Sequence, residues 1–113
     1  MDLNGWVELK WPNGQMKRKT FYKNNIRDGL EQLWNEEGVL IDEGSYYLGD
    51  PIGLHRRWYA NGVIKERCFY FGASRFNRRC YNEEGELVYE LVYMDEQTMR
   101  IREWIDGEMI TRC

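Results

Sequence analysis

The single histidine, His55, and the three cysteines, Cys68, Cys80 and Cys113, are the residues whose types could support nucleophilic or metal chemistry. A nucleophilic thiol needs a base within hydrogen-bond reach, so Cys68 and His55 would have to project from facing positions. Cys68 shares the alternation of Ile64 and Tyr70, which reads as the apolar face of a strand and predicts a buried core thiol. No Cys-x-x-Cys or His-x-x-x-His spacing occurs, so no metal site is expected. No glycine-rich phosphate loop leads into a helix, and no cofactor is expected. The carboxylate pairs Glu36-Glu37 and Glu83-Glu84 fall in turn-forming segments, where solvent leaves nothing to tune one carboxylate against the other. The pattern is that of a protein that is not an enzyme, with no catalytic residues to name.

A binding role finds more to work with. Arg56, Arg57, Arg75, Arg78 and Arg79 lie close in sequence to Tyr59 and Phe76, and with Tyr47 they form the candidate partner-binding set. Arginines beside aromatics suit phosphates and stacked bases, which makes nucleic acid one alternative. An acidic protein surface suits them equally. The net charge of −3 and pI near 5.2 argue against nucleic acid. Charge is segregated along the chain. Residues 1–27 carry net +4, 28–50 carry −7, 51–79 carry +6 and 80–113 carry −6. If consecutive strands pair, each block lies beside one of opposite sign, and a register near Glu43 opposite Arg57 would form cross-strand ion pairs. The acidic block around Glu31, Glu36, Glu37, Asp42 and Glu43 could also imitate a nucleic-acid backbone and enter a basic cleft.

The elements that position these residues follow from an internal repeat. Gly14, Gly38, Gly62 and Gly85 recur at 24, 24 and 23 residues, and Gly107 follows after 22. An aromatic precedes each by three or four positions: Trp11, Trp34, Trp58, Tyr81 and Trp104. An aliphatic residue or Met follows each by two, and Tyr22, Tyr46, Tyr70 and Tyr93 follow the first four by eight. Gly5, Gly29 and Gly53 mark the other end of the unit. Asn-Gly and Asp-Gly pairs provide the positive φ of hairpin turns, and Leu87, Tyr89, Leu91 and Tyr93 alternate as strand residues do. Each unit therefore reads as strand, tight turn, strand and a looser turn such as Leu48-Gly49-Asp50-Pro51. A helix across residues 25–37 would break this register.

The 113 residues thus predict an all-β, single-layer twisted antiparallel meander of nine or ten strands, forming one domain over 1–113. Hairpin tips are expected near 13–14, 36–38, 60–62, 83–85 and 106–107. An aromatic share of 15% suits such a sheet. The odd number of thiols fits a reducing compartment. The first residues show neither a basic leader nor an apolar stretch, so the expected location is cytoplasmic, with packaging in a particle as a variant.

Trp58-Tyr59-Ala60-Asn61-Gly62-Val63-Ile64-Lys65-Glu66, with Gly53 before it and Tyr70 after it, resembles the MORN repeat variant. That variant is common in bacterial proteins labelled as antitoxin components. The resemblance implies the repeat fold and a protein-binding role of antitoxin or immunity type. The alternative is a self-associating scaffold or assembly protein, including a virion component. The Gly-x-Gly pairs of the eukaryotic-type unit are absent, which points away from a membrane role.

Overall fold

A computed structural model describes residues 2–72 and 74–112; the third thiol, Cys113, lies outside the described residues. Ten strands follow one another: β1 Gly5–Lys10, β2 Met16–Lys23, β3 Ile26–Trp34, β4 Leu40–Tyr47, β5 Asp50–Trp58, β6 Ile64–Gly72, β7 Arg75–Tyr81, β8 Leu87–Tyr93, β9 Met99–Ile105 and β10 Glu108–Arg112. They form one open sheet in sequence order, each strand antiparallel to the next. The extents of 50 × 34 × 13 Å are those of a single layer. No helix forms among the described residues, the segment 25–37 included.

The first four expected hairpin tips are wider than two-residue turns. At Trp11–Gln15, Asn35–Val39, Tyr59–Val63 and Asn82–Glu86 the first residue's N–H bonds the last residue's carbonyl, a loop with three residues between. Only the glycine there has positive φ, at 87°, 87°, 86° and 85°. Asn13 and Asn61 serve differently: their side-chain oxygens accept from the N–H groups of Gln15 and Val63 at 3.0 Å each. This is a β-turn closed by a left-handed residue. Two-residue turns with both φ positive form at Asn24-Asn25 and Leu48-Gly49 on the opposite edge and, as expected from its Asp-Gly pair, at the Asp106-Gly107 tip.

The wider tips stack along one edge. The Trp11 indole donates to the Trp34 carbonyl at 3.1 Å, and the Tyr59 hydroxyl to the Tyr81 carbonyl at 2.7 Å. Asn13 reaches the Glu36 carbonyl at 2.9 Å. Trp11 and Tyr59 are therefore clamps between successive tips, each closing on the backbone of a recurring aromatic. A register shift immediately precedes Trp34, Trp58 and Tyr81, so each of these aromatics leaves the strict alternation of its strand.

One face carries most of the best-buried residues, Glu90 on the other being the exception. Thr20, Gly44 and Cys68 occur one per hairpin and are small; the larger Glu31, His55 and Arg78 lie beside them. Thr20 is 1% and Cys68 4% exposed. Small residues at every second strand let large neighbours lie flat across a sheet that has no second layer to bury them.

Candidate interaction face

Paired residues share a face, so the ladder sorts the candidate residues. Arg57, Arg78 and Phe76 fall on the face of His55 and Cys68; Arg56 and Arg79 fall on the other. Tyr47 belongs with Arg56 by strand alternation, while Tyr59 and Arg75 are held at the two edges. Tyr59 serves as a tip clamp, and Arg75 donates to the Glu96 carbonyl. The sheet thus divides the set between two surfaces and does not bring it together.

The His55 face holds a shallow cavity of about 230 Å³ lined by Asp42, Tyr46, His55, Arg57, Glu66, Cys68 and Tyr70. His55 is the cross-strand partner of Cys68, yet the two do not act together. The imidazole Nε2 lies 2.8 Å from the Ser45 carbonyl, and its ring sits edge-on to Tyr46 and Tyr70 at 5.3 and 4.9 Å. Cys68 donates to Glu66 at 3.3 Å. Burial, then the Glu66 carboxylate, pushes this thiol up to about 12. It is protonated at neutral pH and poor as a nucleophile. Arg57 pairs with Asp42 at 3.2 Å and Arg78 with Glu66 at 3.0 Å. Among the described residues no cluster of His, Cys, Asp and Glu suits a metal ion.

On the opposite face one row crosses nine strands: Glu8, Lys19, Gln32, Glu43, Arg56, Arg67, Arg79, Glu90 and Arg102. Glu43 stands opposite Arg56, one residue from the expected Arg57, which pairs with Asp42 instead. Glu43 is held by Arg56 at 2.6 Å and by the Gln32 amide at 2.7 Å. Glu90 is 4% exposed and receives Arg79 at 2.9 Å and Arg102 at 2.8 Å, with Arg100 at 3.8 Å. Next to the arginines, Ile52, Leu54 and Phe69 are 45%, 43% and 51% exposed. Arg67, absent from the sequence-derived set, is the central member of this surface.

These two carboxylates make stability depend on acid. The Gln32 hydrogen bond, working against burial and joined by Arg56, holds Glu43 below its ordinary value of 4.5. Burial opposes ionisation of Glu90, but Arg102 and Arg79 outweigh it and hold Glu90 below 4.5 as well. A group lowered on folding contributes stability above its unfolded value and loses it as pH falls through the folded one. Urea midpoints should therefore hold steady above about pH 5 and decline below 4.5. The double variant Glu43→Gln, Glu90→Gln should be less stable at neutral pH with a flatter acid limb; an unchanged slope would discard the assignment.

A ten-stranded open meander of tandem hairpins, clamped tip to tip and presenting two solvated faces, defines a repeat module. The family model for the MORN repeat variant matches residues 3–24 and 51–71, which supports the MORN repeat family for these units. MORN repeats are generally modules for protein or membrane interactions. No curated protein and no solved structure matches the chain. No helix among the described residues is long and apolar enough to cross a membrane.

Proposed function

We propose that the chain is a non-catalytic protein-binding module that covers a partner with the Arg56–Arg79 face of its sheet, in the manner of an antitoxin or immunity protein. The carrying observation is the exposed group Ile52, Leu54 and Phe69 directly beside the arginine row. A single-layer sheet gains little by leaving three large apolar residues in water, whereas a partner that covers them recovers their burial. Three arginines in succession, Arg56, Arg67 and Arg79, give that contact a positive strip that an acidic partner surface would complement. The resemblance to repeats found in antitoxin components supports the same reading.

Affinity capture from the native source with the intact chain tests it. One protein should be retained in fixed ratio, and Leu54→Asp with Phe69→Asp should abolish retention while circular dichroism stays unchanged. The retained protein, produced alone, should arrest growth, and production of the chain should restore it. Capture that ignores the double variant would remove the face from the proposal; failure to restore growth would remove the antitoxin role.

A further inference from the structure

Arg67 breaks the charge order of its row. Every other charged member, from Glu8 to Arg102, stands directly beside a residue of opposite sign, whereas Arg67 lies between Arg56 and Arg79. Both neighbours are drawn outward, Arg56 to Glu43 and Arg79 to Glu90. Among the described residues no carboxylate reaches Arg67 within ion-pair distance. Like charges opposite one another weaken a strand pair, so this arrangement costs the sheet stability it could have kept with a glutamate at 67. Arg67 lines a hollow of about 240 Å³ together with Leu54, Cys68, Phe69, Asn77 and Arg79. The Asn77 oxygen is occupied by the Tyr93 N–H at 3.0 Å, which leaves its NH₂ group to donate.

Resting on the protein-binding reading above, we infer that Arg67 is the anchor for an acidic side chain of the partner, an Asp or Glu in an extended segment flanked by apolar residues. The guanidinium takes the carboxylate as a forked pair, Asn77 donates a further hydrogen bond, and Leu54 with Phe69 covers the flanking apolar group. The carboxylate supplies the negative neighbour that every other cation of the row already has. Apolar walls beside the arginine favour a protein segment over a phosphate backbone, which would leave Leu54 and Phe69 uncovered.

The test is selection from a random peptide library displayed on phage, using the intact chain, Arg67→Glu and Arg67→Met as baits. The wild type should enrich peptides with Asp or Glu next to aliphatic residues, and Arg67→Met should bind them roughly tenfold or more weakly. Arg67→Glu should enrich basic peptides instead and melt roughly 2–5 °C higher, because Arg56 and Arg79 then each have an acidic neighbour on both sides. A residue that merely supports the sheet would lower the melting temperature on replacement. Enriched peptides that lack acidic residues, or that bind both variants equally, overturn the Arg67 site and leave the protein-binding reading standing. No enrichment by any bait overturns both. Arg67-dependent binding of polyuridylate, or Arg67-dependent self-association in sedimentation, overturns the acidic segment as occupant.

Discussion

Glu90→Gln should lower the stability of the sheet by about 3 kcal/mol, the low end of the cost of breaking a buried charge pair because its arginines reach solvent. Three guanidinium groups converge on this one carboxylate, which is 4% exposed. Removing its charge leaves Arg79, Arg100 and Arg102 to repel one another around a buried amide that can satisfy only part of their donors. A domain of this size has a total stability of about 5–15 kcal/mol, so the melting temperature should fall by roughly 10 °C or more. Glu83→Gln, at an exposed tip, serves as the control and should change stability by no more than about 0.5 kcal/mol. Urea denaturation decides it: equal midpoints for the two variants would mean that the Glu90 cluster is ornamental.

Gly44→Ala should cost about 2 kcal/mol through overpacking, even though its backbone is extended and any residue could adopt it. The reason is space. A β-carbon at Gly44 would overlap the His55 imidazole, lying 2.5 Å from Cγ and nearer still to Nδ1 and Cε1. The ring cannot swing aside cheaply, being held by the Ser45 carbonyl and by Tyr46 and Tyr70 on either side. In a His55→Ala background the same substitution should cost close to nothing, so a double-mutant cycle should return a coupling near the full penalty. Equal costs in both backgrounds would show that Gly44 is required for some other reason. Gly14 makes the contrast, since no atom lies within 4 Å of a β-carbon there and its φ of 87° alone sets the cost of substitution.

The repeat spacing made strand number, order and direction legible, because hairpin tips and alternating side chains leave periodic marks. Faces were harder to read. Register shifts before Trp34, Trp58 and Tyr81 and near the tight turns move a strand's alternation by one step. Ordinary alternation within β5 separates Arg56 from Arg57, and the β6–β7 register, unbroken as far as Tyr70, sets Phe76 against Tyr70, 5.4 Å away, on the His55 face. Arg67 passed unnoticed because its significance lies in two residues far from it in sequence. A signal did exist: folding the chain at Asn61-Gly62 lays position 67 over 56, and the following strand brings 79 to its other side. The apolar group Ile52, Leu54 and Phe69 was not legible, since none of the three occupies a glycine, aromatic or tyrosine position of the repeat and strand pairing alone brings them together.

Among the described residues every strand is hydrogen-bonded only to its immediate predecessor and successor in the chain. The loops that must close during folding are therefore all short, and each closure costs little entropy compared with the long crossings of sandwiches and barrels. No single strand is the keystone. Pairing can begin at whichever hairpin forms first and spread in both directions, and an end can open without unzipping the middle. Under force or dilute denaturant the molecule should behave as a short ladder losing rungs from its ends, with Arg67 and its neighbours among the last to let go.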